Sequence, residues 1–195
     1  MSKPQWTILI PTIPDRVGTY FPELVRVLLA QVGDLPIHVV GLFDNYQWAV
    51  GAKRNRLLEL IEGTYFSFID DDDEIAEDYV ATLWEAQQVQ PQPDVIVFEQ
   101  LTDLSGGAHH RCRYGVEYDY WMSEDKTEWT GKPAHTMVWR TEAVRTARFP
   151  DEKNCGEDMA WVQQAASLVL TQHRIDKILY YYHFNFSNTR TRGVG

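Results

Sequence analysis

Apolar and polar positions change period repeatedly along the first hundred residues, and the changes predict an alternation of strands and helices. Trp6-Thr7-Ile8-Leu9-Ile10 is a continuous apolar run stopped by Pro11 and Pro14, which suits a short buried strand feeding a loop. Leu24, Val25, Leu28, Leu29 and Val32 then recur at helical spacing and make one apolar face, ended by Gly33-Asp34. Residues 37–43 predict a second buried strand that ends at Asp44-Asn45. Residues 51–62 predict a helix with Leu57, Leu58 and Ile61 inward and Gly63 as its C-terminal stop. A third strand over Tyr65 to Ile69 runs straight into Asp70-Asp71-Asp72-Asp73. A helix over about residues 77–89, a break at Pro91 and Pro93, and a fourth strand over Asp94 to Phe98 follow.

Such an order implies right-handed crossovers and an α/β fold: one three-layer α/β/α sandwich with a mostly parallel central sheet. Ligands in such sheets sit beyond the carboxyl ends of the strands. The acidic run, Pro11-Thr12 and Asp44-Asn45 all fall at such ends. The second half is less regular. Ser105-Gly106-Gly107 opens a loop, with His109-His110 at its tip, and short strand-like pieces follow at 113–118 and 136–139. A helix over 156–170 carries Met159, Val162, Ala166 and Val169 on one face, and a last strand covers 178–184. Asn185 to Gly195 reads as a mobile polar tail. There is no internal repeat and no linker, so a single domain over residues 1–195 is expected.

Composition narrows the class. With 44% hydrophobic and 13% aromatic residues among 195, the chain has ample material for a core, which excludes disorder throughout. Eighteen basic against 28 acidic residues give a charge of −10, which disfavours general coating of nucleic acid. The cysteines, Cys112 and Cys155, are too few for a disulfide framework or a self-contained zinc site. Neither a secretory signal nor a membrane span is visible, so a cytoplasmic protein is expected.

Charge is also unevenly spread: Glu59 to Asp103 holds 13 acidic residues and no Lys or Arg. Consecutive aspartates repel one another, and a hard divalent cation such as Mg²⁺ or Mn²⁺ turns that cost into a ligand set, commonly shared with substrate phosphates. A solvated acidic turn before a helix is the competing reading. A calcium EF-hand loop starting at Asp70 fails, because its sixth and twelfth positions are Ile75 and Ala81. An aspartyl phosphatase places its nucleophile after the first strand, whereas this run follows the third.

Several stretches together resemble family 2 glycosyltransferases of the GT-A fold. They are Thr7-Ile8-Leu9-Ile10-Pro11-Thr12, the acid Asp44 at the second strand's end, and Gly51-Ala52-Lys53-Arg54-Asn55. Phe68 to Asp73 follows, with Asp70 and Asp72 matching the D-x-D pair, and then Arg148-Phe149-Pro150 with Gly156-Glu157-Asp158 and Trp161. The resemblance covers about residues 6–186. It departs at Lys53, where a small residue is usual, and in length, which implies a reduced acceptor-binding part.

The resemblance implies a metal-dependent, inverting, hexosyltransferase-type enzyme using a nucleotide-diphosphate sugar, with UDP-sugars first among donors. Asp72 is then the direct Mn²⁺ or Mg²⁺ ligand, and His183 after Tyr180-Tyr181-Tyr182 completes the metal shell or is a half-buried strand histidine. Pro11, Thr12, Asp44, Lys53, Arg54, Asp70 and Asp71 line the nucleotide-sugar pocket, with Asp70 on the ribose or a metal-bound water. Asp158 is the catalytic base, and Glu157 binds acceptor or orients the site; plain N-terminal helix charge is the alternative for both. Lys53 and Arg54 reach phosphate or are surface charges. His135 is an acceptor or sugar contact or an ordinary polar residue. Trp48, Trp129 and Trp161 are candidates for stacking on sugar or for packing. Arg190 and Arg192 close over a diphosphate or belong to the tail.

The acceptor stays open at this point. A saccharide hydroxyl is the default. A hydroxylated base in phage-type DNA is a second option, for which Arg111, Arg113, Arg140, Arg145 and Arg148 leave room. A nucleotidyltransferase shares the metal logic but wants a Gly-rich basic loop after the first strand, which Pro11-Thr12-Ile13-Pro14-Asp15 is not. A donor-binding protein without turnover is the remaining class, against which Asp72 and Asp158 together argue.

Overall fold

The computed structural model describes residues 4–104 and 108–184. Gly106, Gly107, Arg190, Arg192 and the expected tail lie outside the described residues. In chain order the elements are β1 (Trp6–Thr12), α1 (Pro14–Val17), α2 (Tyr20–Val32), β2 (Ile37–Phe43), α3 (Val50–Leu58), β3 (Tyr65–Phe68), β4 (Glu74–Ile75) and α4 (Tyr79–Ala86). They continue with β5 (Val95–Leu104), β6 (Ala108–Tyr114), β7 (Trp121–Met122), β8 (Glu128–Gly131), β9 (Val138–Arg140), α5 (Glu157–Leu168) and β10 (Gln172–Phe184).

The strands form one branched sheet. β1 lies between β2 and β3, parallel to both, and β10 runs parallel to β5 along its length. β9 is antiparallel to both β3 and β5 and separates them, so β3 and β5 point the same way without touching. The expected α/β sandwich with a mostly parallel sheet is therefore present, with one antiparallel strand inserted. Because β10 occupies one edge of β5, β9 and β6 must share the other. β9 pairs at Val95 and Ile96 and β6 pairs at Gln100 to Leu104. The sheet forks there, and β6, β8 and β7 form a branch that leaves the central layer.

The core explains the strand choice. All seven residues of β1 are buried, Pro11 and Thr12 included, so the strand runs two residues beyond the expected stop. Proline is tolerated there because β3 pairs only with Trp6 to Leu9, so at Pro11 the strand has a neighbour on one side alone. Trp6 packs on Tyr79 and donates from its indole nitrogen to Ser67 Oγ at 3.1 Å. Trp161 lies at 0% exposure between Trp139 and Phe149, the Phe149 ring stacked on it at 5.2 Å. It is a packing residue, not a sugar platform. Trp48 lies under the Arg56 guanidinium at 4.2 Å.

Several expectations need correction. β2 is the edge strand, so its residues are half-buried or exposed, not buried. α3 ends at Leu58 with Glu59 as its C-cap, and Gly63 instead fits beneath the backbone of Trp6 and Thr7, where a Cβ would meet Thr7 N at 2.9 Å. α5 buries Trp161, Val162 and Ala165 and leaves Met159 at 41% exposure, because it packs through a face rotated from the one inferred. His109 and His110 sit within β6, and His110 is buried. α1, β4, β7 and β8 were not anticipated. Among the described residues no helix is long and apolar enough to cross a membrane.

Candidate active site

A cavity of about 450 Å³ opens where the ends of β1 and β3, the start of α3, the forked branch and the start of α5 converge. Its position beyond the carboxyl ends of parallel strands is the one expected for an α/β ligand site. Pro11, Lys53, Arg54, Asp70, Asp71, Asp72, Glu157, Asp158 and His183 all line it. Thr12 and Asp44 stand behind that wall. Asp44 accepts from Trp48 N at 2.8 Å and pairs with the Lys53 ammonium, which also donates to the Thr12 carbonyl at 2.6 Å. Lys53 thus ties the ends of β1 and β2 together from within the core, and it is a buried charge, not a surface one.

The Gly51-to-Asn55 stretch has a mechanical reason. A Cβ at Gly51 would lie 1.9 Å from the Pro150 carbonyl oxygen, so only glycine allows α3 to approach the 149–154 segment. Gly51 N donates to the Lys153 carbonyl at 3.0 Å and Val50 N to Asn154 Oδ1 at 3.1 Å. Asn55 accepts from Phe149 N at 2.9 Å and donates to the Phe149 carbonyl at 2.8 Å. These bonds fix the segment that delivers Glu157 and Asp158 to the cavity.

Arg54 joins the two sides. It is buried, donates to Asp70 Oδ1 at 2.7 Å, stands 3.2 Å from Glu157 Oε1, and lies within 5.8 Å of the Phe68 and Phe149 ring centres. Burial opposes ionisation of Asp70, yet Arg54 and His135 outweigh it and hold its carboxyl far below the usual range. His135 Nε2 is 3.5 Å from Asp70 Oδ2. Glu157 is pushed up by burial, which Arg54 only partly offsets. Asp158 lines the cavity and accepts locally from Met159 N at 2.8 Å.

The acidic run is held by named partners. Tyr180 accepts from Asp70 N at 3.0 Å and donates to Asp73 Oδ2 at 2.7 Å, while His183 N donates to Asp73 Oδ1 at 3.0 Å. Arg16, on the unanticipated α1, reaches Asp71 at 2.8 Å and Asp72 at 2.6 Å. Burial raises Asp72 to about 6 against the pull of Arg16, with Asp70 and Asp71 adding to the rise. Burial likewise raises Asp71 and, helped by Asp70 and Asp72, lifts Asp73 well above its ordinary value.

Among the described residues no three His, Cys, Asp or Glu side chains converge as a ready metal cage. Asp72 and His183 share the cavity, and His183 Nε2 stands 3.3 Å from Glu74 Oε1. A pair of protein ligands suits a hard cation that takes its remaining oxygens from substrate phosphates and water.

The remaining wall is aromatic. Tyr114, Tyr120 and Trp129 line it, with Lys132 donating to the Val116 carbonyl at 2.8 Å. Of these only Trp129 was singled out from sequence, because the others become neighbours through the forked branch.

No protein-family profile matches the sequence, and no curated protein matches it. Solved structures do. S. aureus TarS 1–349 in complex with UDP-GlcNAc superposes with a TM-score of 0.69 at 16% identity, covering 98% of this chain and 62% of that one. TarS 1–349 in complex with UDP gives 0.65 at 17% identity, covering 93% and 61%. The S. aureus TarS structure not limited to 1–349 gives 0.63 at 17%, covering 92% and 37%. The chain therefore spans less than two thirds of the TarS chains it matches. The likeness shows the fold, a GT-A-like α/β architecture.

Proposed function

We propose that this chain is a glycosyltransferase that moves a sugar from a nucleotide-diphosphate sugar, a UDP-sugar first, to an acceptor hydroxyl. The observation that carries the reading is one cavity holding Asp70, Asp71 and Asp72 after β3 together with Glu157 and Asp158 at the start of α5, with Arg54 paired to both Asp70 and Glu157. The TarS complexes with UDP-GlcNAc and UDP support the same donor class on the same fold.

The chemistry follows from the residues. The leaving diphosphate gains charge as the sugar C1–O bond breaks, and Arg16 and Arg54 hold positive charge at that wall. A Mn²⁺ or Mg²⁺ ion held by Asp72 and His183 would supply further neutralisation there. Pro11, Lys53, Arg54, Asp70 and Asp71 shape the nucleotide side, and Thr12 and Asp44 brace it from behind. An acceptor hydroxyl is a poor nucleophile and needs a base on the opposite side of the sugar. Asp158 takes that proton as the new O–C1 bond forms and the old bond's electrons leave with the diphosphate, which inverts the anomeric carbon. Glu157, turned onto Arg54, orients the site and is not the base.

Four of the five arginines that would serve a DNA acceptor already have close partners. Arg111 and Arg113 meet Glu99, Arg140 meets Asp94, Arg145 faces Glu142, and Arg148 donates to backbone carbonyls. That favours a saccharide acceptor.

Thermal stability against UDP-, GDP-, TDP- and CMP-sugars, with Mn²⁺ or with chelator, tests the donor assignment. A ligand at 100 times its Kd stabilises by about 2.7 kcal/mol, several degrees for a chain of this size. A metal-dependent rise with UDP-sugars is expected, and no rise with any donor overturns the reading. Asp158→Asn is expected to keep the rise and lose about 10²- to 10⁴-fold in turnover.

A further inference from the structure

We propose that the aromatic half of the cavity, Tyr120 and Trp129 backed by Tyr114, is the acceptor subsite and takes a pyranose ring face-on. The inference rests on the transferase reading and names the acceptor chemistry of that same site.

The cavity has two unlike walls. One carries Arg16, Lys53, Arg54 and the acidic run, and suits a nucleotide diphosphate. The other, from β6, β8 and the 115–120 loop, is lined by Tyr114, Tyr120 and Trp129. Trp129 packs edge-on to Tyr114 at 5.5 Å between centroids and at 42° to Tyr120 at 5.6 Å. Tyr120 is 43% exposed, so part of its surface is free for contact.

The platform is built, not incidental. A Cβ at Gly131 would lie 2.3 Å from Trp129 Cη2, so the indole takes its pose only because position 131 is glycine. Asp158 lines the same cavity as Tyr120 and Trp129, and its charge adds to burial in raising Tyr120. An acceptor resting on this wall therefore shares one cavity with Asp158.

A pyranose fits both demands. Its C–H face is apolar and matches an aromatic face, and its hydroxyl rim reaches a carboxylate. A pyranose asks no charge of this wall, whose Lys132 is already bonded to the Val116 carbonyl.

Saturation-transfer NMR with methyl β-D-glucopyranoside and its 2-acetamido analogue, in the presence of UDP and Mg²⁺, tests the assignment. Saturation of the ring C–H protons is expected in the natural protein. A loss of at least fivefold is expected in Trp129→Ala, and also in Tyr120→Ala, whose exposed side chain makes misfolding a poor explanation. The rise in Tm with UDP, measured on the same samples, reports the donor side separately. An intact rise with no glycoside signal, or a signal that neither substitution changes, overturns the subsite. So does saturation of single-stranded DNA with both glycosides silent. Absence of any nucleotide-induced rise overturns the transferase reading instead.

Discussion

Arg16 shows how much one side chain decides at this site. It projects from a four-residue helix, is partly buried, and sets its guanidinium against Asp71 and Asp72. Two buried carboxylates side by side are costly, and the pairing offsets that cost. A divalent ion on Asp72 must compete with the guanidinium or push it toward the substrate phosphates. Arg16→Gln removes the competitor and leaves the repulsion. In chelator the variant is expected to melt about 5 °C lower, from a loss of roughly 2 kcal/mol. With Mn²⁺ its rise in Tm should exceed that of the natural protein. Equal metal responses in the two proteins would show that Arg16 and the ion do not share Asp72. Sequence pattern alone did not reveal Arg16, since its partners lie 55 and 56 positions away. The hint was the long acidic stretch with no basic residue of its own.

At the scale of elements, the docking of α3 on the 149–154 segment controls the site. Gly51→Ala sets two effects against each other. Alanine favours a helix over glycine by about 1 kcal/mol. Overpacking against a fixed backbone atom costs about 1 to 3 kcal/mol, and a 1.9 Å approach to a carbonyl oxygen lies at the severe end. The clash wins, so the variant should lose stability despite its better propensity. Because the displaced segment carries Glu157 and Asp158, turnover should fall more than donor affinity does. A Gly51→Ala protein as stable as the natural one, with unchanged kcat, would contradict this account. The elements of the first half were legible because helical and continuous apolar periods alternate cleanly there. β7, β8 and β9 were harder: they are two to four residues long, too short to show a period. The insertion of β9 between β3 and β5 depends on pairing between residues 65–66 and 139–140, which no local pattern encodes.

Across the whole molecule, charge is organised at both ends of the sheet. At the cavity end burial raises Asp71, Asp72, Asp73 and Glu157, while Arg54 and His135 hold Asp70 low. At the other end Asp94 clamps three strands. It pairs with Arg140 at the end of β9, and it accepts from Leu170 N at 2.9 Å and Thr171 N at 3.0 Å just before β10. Sequence reading placed Asp94 at a strand start but gave it no role, because its partners come from 46 to 77 positions away. Burial works against ionised Asp94, and Arg140 with the Leu170 and Thr171 donors overcomes it, so its carboxyl lies below the ordinary value. The sign of the pH effect follows. A carboxyl lowered on folding contributes stability that is fully present above its unfolded value, near 4, and is lost as pH falls through the lower folded value. Asp94→Ala removes the charge-assisted bonds and leaves buried donors unpaired. It should cost about 2 to 3 kcal/mol at pH 7, or roughly 5 to 10 °C in Tm. The gap between natural protein and variant should narrow steadily as pH drops below 4. A gap of the same size at pH 6 and at pH 3 would mean that the clamp acts by shape alone and that its charge contributes nothing to holding β5, β9 and β10 in register.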